Sequence, residues 1–127
     1  SRLETMTRQV QASILIDPPT AAVIRASLPT GICRVRRLAR VRPVGLSAPI
    51  EVSELLPPAC PELTDEHLAA YESALTAFES RDWPFALERL KSVSFHDGAT
   101  DFLTLFIDQH GRSPPTNWDG SIALLAK

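Results

Sequence analysis

The chain lacks the sequence patterns that mark membrane spans, disulfide frameworks and metal sites. No apolar run approaches the roughly 18–20 residues of a transmembrane helix, and no signal-peptide pattern is present. The two cysteines, Cys33 and Cys60, lie in different contexts, which favours reduced thiols, with a disulfide as the alternative. The sequence has no CxxC motif and its three histidines are scattered, so a dedicated metal site has little support.

The first seven residues, SRLETMT, have the pattern of a helix interior. No initiator methionine precedes them, and Leu3 and Met6 are spaced three apart as on one helix face. We therefore expect these residues to be the last part of a longer domain. The chain would then carry only a share of the whole protein's function.

The charges divide the chain into two parts. Residues 1–56 hold eight arginines and four acidic residues, whereas residues 57–127 hold five basic and eleven acidic residues. Three prolines lie at the boundary and cannot sustain a helix or a central strand. The sequence therefore predicts a first domain over 1–56, a stiff proline-rich linker over 57–63 and a second part over 64–127.

The first part is expected to form a strand, a helix and two further strands. An apolar run over 13–17 predicts a buried strand, and Thr20 is the expected N-cap of a helix over 21–28. A second strand over 32–42 and a third over 49–56 read as a hairpin. Four arginines of the second strand share one parity, which predicts a half-exposed, arginine-lined face: Arg34, Arg36, Arg40 and Arg42.

The density of arginine in this strand raises the possibility of nucleic-acid binding. No aromatic residue lies among the arginines, so the strand offers no platform on which single-stranded bases could stack. The net charge of −2 also differs from the basic footprint of a nucleic-acid-binding domain. We therefore expect no nucleic-acid partner. A solvated sheet face, or one that meets an acidic surface, is the alternative.

The second part is expected to be helical. Thr64 should cap a first helix, whose apolar residues recur every three to four positions, and Asp82 should begin a second helix. Phe85 is among the residues expected to face inward in that second helix. A third helix should follow residues 97–100 and end at Gly111, and Trp118 should fill a groove between helices. Together the two parts predict an α+β chain.

The order of several motifs resembles class III adenylate/guanylate cyclases. Residues 1–7 and 14–17 are similar to the family passage "SRLE-x-(L/M)-T … ILIS", and residues 38–56 are similar to the closing hairpin of the catalytic domain. Residues 97–100 and 114–120, together with a terminal Lys127, resemble the helical extension of bacterial members. The resemblance implies a partial ferredoxin-like cyclase domain over 1–56. The extension over 64–127 looks similar to a tetratricopeptide hairpin.

The family converts a nucleoside triphosphate to a 3′,5′-cyclic nucleotide and pyrophosphate with the help of two metal ions. The resemblance makes Arg2 the arginine that stabilises charge on the transferring phosphorus, whereas a surface arginine is its alternative reading. The triphosphate-binding lysine of the family falls on Val44, and Arg42, two residues earlier on the same strand face, could replace it. The metal-binding carboxylates match no residue of this chain, so we expect no metal in it and two Mg²⁺ or Mn²⁺ ions in the intact parent.

These features predict a C-terminal piece of a nucleotidyl cyclase acting on ATP or GTP in signal transduction. The piece alone should be inactive. The resemblance implies a nucleoside triphosphate as substrate, a second cyclase domain as partner (a homodimer) and a cytoplasmic location. Any membrane contact would come through segments upstream of this chain. The alternative is a non-catalytic interaction or dimerisation module of a degenerate cyclase.

Overall fold

A computed structural model describes residues 14–28, 32–42, 45, 48–58, 63–93 and 97–123 of the chain. Over these residues the protein is of the mixed α+β class, as the sequence predicts, with four helices and one four-stranded sheet. The chain divides into two compact units, between residues 59 and 60 and again between 120 and 121. The residues from 121 onward group with the sheet, whereas the sequence analysis assigned them to the extension over 64–127.

The first unit contains the sheet and one helix. Its elements in chain order are strand β1 (Leu15–Ile16), helix α1 (Pro18–Ser27), strand β2 (Arg34–Arg42), strand β3 (Ile50–Leu56) and strand β4 (Ser121–Ala123). The strand order across the sheet is β1-β3-β2-β4. Strand β3 is antiparallel to both β1 and β2, so the expected hairpin is confirmed, whereas β4 is parallel to β2. The second unit lies within the long chain segment between β3 and β4, the kind of crossover that a parallel pair needs.

Helix α1 begins three residues earlier than the sequence analysis predicts, and Thr20 is not its N-cap. Asp17 is the cap, and its side chain accepts a hydrogen bond of 2.9 Å from the backbone N–H of Thr20. Pro18 and Pro19 occupy the first two helical positions. Proline is tolerated there because the first backbone N–H groups of a helix have no intrahelical partner to lose. The two prolines therefore form the start of this helix.

Strand β2 does not present a single arginine-lined face, and this prediction is wrong for Arg34 and Arg36. Both residues are buried, with 9% and 4% of their surface exposed. The pairing with β3 shifts by one residue between Arg37 and Ala39. Such a β-bulge interrupts the two-residue alternation of a strand, so residues before and after it exchange faces. The parity count in the sequence assumed an unbroken strand.

The second unit contains three helices, of which the first two begin where the sequence analysis places their starts, while the third begins at Gly98, within the residues 97–100 that it was expected to follow. Helix α2 spans Asp65–Glu79, α3 spans Trp83–Leu90 and α4 spans Gly98–Gln109. Each helix has a side-chain cap, from Thr64, Asp82 and Asp97 in turn, that accepts a backbone N–H of the first turn. In α2 the cap is reciprocal, because His67 Nδ1 accepts the N–H of Thr64 at 3.2 Å while Thr64 Oγ1 accepts the N–H of His67 at 3.3 Å.

An aromatic cluster forms the core of the second unit. The rings of Phe78 in α2 and Trp83 in α3 are both fully buried and stack with centroids 5.5 Å apart. Trp118 packs edge-on against both rings, at 4.9 and 5.3 Å, so its predicted position between helices is confirmed. Phe85, expected to face inward, is 43% exposed. The buried stripe of α3 consists of residues spaced by three and four, Trp83, Ala86 and Leu90, and Phe85 lies off that stripe.

The segment after α4 is fixed by hydrogen bonds to the turn between α2 and α3, and Trp118 packs against Phe78 of α2. The guanidinium of Arg81 donates to the carbonyl of Pro115 at 3.0 Å and to that of Trp118 at 3.2 Å. Arg81 itself has a φ of 71°, which turns the chain sharply between α2 and α3.

Within the described ranges, no helix combines the length and apolar character that crossing a bilayer requires.

Candidate anion-binding face

Of the two site residues that the sequence analysis predicts, Arg2 and Arg42, the structure describes only Arg42. Arg2, the expected transition-state arginine, lies outside the described residues, as does Val44, the position of the family lysine. Arg42 is described and forms the last residue of β2. It is half-buried, and its Cα pairs with that of Ala123 in β4. The candidate site therefore consists of Arg42 and the residues that share its face of the sheet.

The register of the β2–β3 hairpin determines which side chains share a face with Arg42. Residues directly opposite in antiparallel strands point to the same side of a sheet. Arg37 lies opposite Ser53 and Arg40 lies opposite Glu51, and Ser53 and Glu51 are two residues apart on β3. Arg42 is two residues beyond Arg40 and continues the same side. The face with Arg42 consequently carries three arginines and one acidic residue: Arg37, Arg40, Arg42 and Glu51.

The acidic residue of this face is engaged by the arginine furthest from Arg42 along the strand. Arg37 Nη1 lies 3.1 Å from Glu51 Oε2, with 21% and 35% of the two side chains exposed. Arg40, whose Cα is the direct cross-strand partner of Glu51, is exposed to solvent. Glu51 leans diagonally toward Arg37, and Arg40 and Arg42 lie further along β2 on the same face.

The opposite face of the hairpin is buried and contains a second ion pair. The guanidinium of Arg36 pairs with the carboxylate of Glu54, the residue directly opposite on β3. Only 2% and 7% of these two side chains are exposed. Arg34, on the same face, donates from Nε to the carbonyl of Pro57 at 2.8 Å. These arginines therefore hold the hairpin together and are not presented to a ligand.

The sequence analysis missed Arg40 and Arg37 as candidate site residues. The available signal was the pair of adjacent arginines, Arg36 and Arg37, followed by the adjacent apolar pair Leu38 and Ala39. In a regular strand neighbouring residues point to opposite faces, so two such doublets in succession indicate a change of phase. Both members of the apolar pair are 2% exposed, which is what a bulge at this point produces.

The described residues do not bring together ligands for a metal ion. Among residues 14–28, 32–42, 45, 48–58, 63–93 and 97–123, no group of three His, Cys, Asp or Glu side chains could hold one. The acidic residues of the hairpin, Glu51 and Glu54, each pair with an arginine. What this part of the chain can do chemically is attract and orient an anion.

Comparison with known proteins found no matching family model, no matching curated protein and no matching solved structure.

Proposed function

We propose that the chain is the C-terminal part of a class III nucleotidyl cyclase, in which Arg42 contacts the triphosphate of ATP or GTP. The observation that carries this proposal is the placement of Arg42 at the end of β2, on a sheet face that also bears Arg37 and Arg40. The order of strand, helix and antiparallel hairpin supports a partial ferredoxin-like domain. The paired helices α2 and α3 support a tetratricopeptide-like extension.

The proposed chemistry needs positive charge near the phosphates more than it needs a covalent catalyst. In cyclisation the 3′-oxygen of the ribose attacks the α-phosphorus, the bond to the β-phosphate oxygen breaks, and pyrophosphate leaves with its negative charge. Arg42 would orient the triphosphate and balance charge that accumulates on the leaving group. Arg2 would stabilise the charge that develops on the oxygens of the α-phosphorus.

The two metal ions of the family supply Lewis acidity at the attacking and leaving oxygens when they are bound. The described residues do not fit the role of holding them, because their hairpin carboxylates are already paired with arginines. No step of the proposal is therefore assigned to a metal held by this chain. The metal-binding carboxylates, and a second cyclase domain that completes the site, belong to the intact parent, which we place in the cytoplasm.

A second candidate function is a non-catalytic interaction module. The second unit exposes two large apolar side chains, Phe85 at 43% and Leu105 at 52%. Single exposed apolar residues are common at protein surfaces, so this observation supports the module more weakly than the arginine face supports the enzyme. The two functions make opposite predictions for the production of cyclic nucleotide.

The proposal is tested by incubating the protein at its natural full length with ATP or GTP and Mn²⁺, and analysing the products by chromatography. We expect a 3′,5′-cyclic nucleotide and an equal amount of pyrophosphate from one of the two substrates. The 127-residue chain alone is the matched control and should give neither product. Absence of cyclic nucleotide from the full-length protein with both substrates would refute the cyclase proposal and favour the interaction module.

A further inference from the structure

The β-bulge of strand β2 changes which arginines accompany Arg42. Without the shift between Arg37 and Ala39, the strand would alternate regularly and Arg40 and Arg42 would share a face with Arg34 and Arg36. With the shift, Arg34 and Arg36 are buried while Arg40 is exposed. The bulge therefore separates the structural arginines from those near the end of the hairpin. Bulges are common where a strand has to re-aim a side chain at a ligand.

We propose that Arg40 is a second polyphosphate-binding residue, acting together with Arg42 on the same face of β2. The two residues are two positions apart, so their Cα atoms are separated by about 6.6 Å in an extended strand. This separation is comparable to that between the terminal phosphate groups of a triphosphate. Guanidinium groups bind phosphate oxygens through paired N–H donors, which gives both strength and orientation.

The ion pair between Arg37 and Glu51 has a positioning role in this site. Glu51 lies opposite Arg40 in the register, and yet its Oε2 lies 3.1 Å from Arg37 Nη1. An opposite charge close to Arg40 would compete with a phosphate ligand for the guanidinium. By holding Glu51, Arg37 leaves Arg40 available to an anion. Arg37 should therefore affect anion affinity without touching the ligand.

This inference deepens the proposed function and rests on it for the identity of the substrate. Its test is an equilibrium measurement that does not depend on catalysis. The 127-residue chain is titrated with inorganic tripolyphosphate at low ionic strength and without metal, by isothermal titration calorimetry, and with orthophosphate in parallel. We expect tripolyphosphate to bind at least about tenfold more tightly than orthophosphate, because only the longer anion can engage both arginines.

Four variants identify the residues responsible. Arg40→Gln and Arg42→Gln should each weaken tripolyphosphate binding by up to about fivefold, as expected for solvent-accessible charged contacts. Arg25→Gln removes an exposed arginine of α1 as the matched control and should leave the affinity unchanged. Glu51→Gln should strengthen binding, because it removes the competing carboxylate. A circular-dichroism melt of each variant verifies that the fold is retained.

The positioning role of Arg37 has a separate readout. Arg37→Gln should weaken binding clearly in the presence of Glu51 and much less in the Glu51→Gln background, because most of its action passes through that carboxylate. Equal weakening in both backgrounds would overturn this role.

The inference about Arg40 is overturned if Arg40→Gln binds tripolyphosphate as tightly as the unsubstituted chain does. It is also overturned if the unsubstituted chain binds orthophosphate as tightly as tripolyphosphate. Arginine-dependent binding without cyclic nucleotide from the full-length protein would refute the cyclase proposal alone.

Discussion

The buried ion pair between Arg36 and Glu54 gives the sharpest stability prediction. The two side chains are 2% and 7% exposed and lie directly opposite each other in the β2–β3 hairpin. Replacing Arg36 by Met keeps a long side chain of similar shape and removes the charge. The carboxylate of Glu54 is then left in a low-dielectric environment without its arginine. Breaking one partner of a buried pair in this way costs about 3–5 kcal/mol.

This cost is a large fraction of the free energy of unfolding, since domains of this size are stable by about 5–15 kcal/mol in total. Replacing both partners, Arg36→Met with Glu54→Leu, removes the isolated charge as well. Two apolar side chains in place of a buried pair are often neutral, or stabilising by about 1–4 kcal/mol, because the cost of desolvating both charges disappears. The double variant should therefore be more stable than either single variant.

The measurement is urea denaturation followed by far-ultraviolet circular dichroism for the single and double variants. The pair on the other face, Arg37 and Glu51, is the matched control, because it connects the same two strands with side chains 21% and 35% exposed. Arg37→Met should cost only about 0.2–1 kcal/mol, as is typical of solvent-accessible pairs. The reasoning is refuted if Arg36→Met costs no more than Arg37→Met, or if the double variant is less stable than Arg36→Met.

Three further predictions concern the caps and the aromatic core. Trp118→Ala should lower the free energy of unfolding, measured by urea denaturation, by about 2–3 kcal/mol. This is less than the about 3–5 kcal/mol lost with a fully buried aromatic side chain, because Trp118 is half-buried. A loss under about 1 kcal/mol would contradict its anchoring role. His67→Gln should retain the reciprocal cap of α2 whereas His67→Ala should lose about 0.5–1 kcal/mol, and equal denaturation midpoints would refute this. Hydrogen bonds from the side chain and backbone of Thr20 hold the pKa of Asp17 below its usual 3.8. The cap therefore stabilises the protein fully above pH 3.8, and this stabilisation is lost as the pH falls through the lowered pKa. Carboxyl carbon-13 NMR should show Asp17 titrating below 3.8, and titration at or above it would contradict the cap.

Local signals in the sequence predicted most of the secondary structure. Thr64 and Asp82 are side chains that favour N-caps, and both stand directly before a run with helical periodicity. The hairpin followed from two strand-like segments, the first alternating between arginine and apolar residues, on either side of a turn where Gly45 has a φ of 88°. These features depend on neighbours in sequence, which is why sequence reasoning reaches them.

The features that the sequence analysis missed depend on interactions between residues far apart in the chain. Strand β4 has only three residues and forms because Ile122 pairs with Val41 across a separation of about eighty positions. The position of the bulge near Leu38 is defined by the pairing of β2 with β3, and the two residue doublets of β2 are its only signal in the sequence. The burial of Arg36 became possible only because Glu54 lies opposite it, and a charge is rarely buried without such a partner.

The assignment of Arg2 and Arg42 to one active site rests on the family resemblance and on the face of β2 that carries Arg42. The most direct test of the proposed cyclase activity is the rate of cyclic-nucleotide formation by the full-length protein with ATP and with GTP. Arg2→Ala should lower kcat by about 10²–10³, the effect of removing one group that stabilises the transition state. Arg25→Ala, the matched control on α1, should retain the full rate. A full-length Arg2→Ala variant as active as the unsubstituted protein would contradict the account.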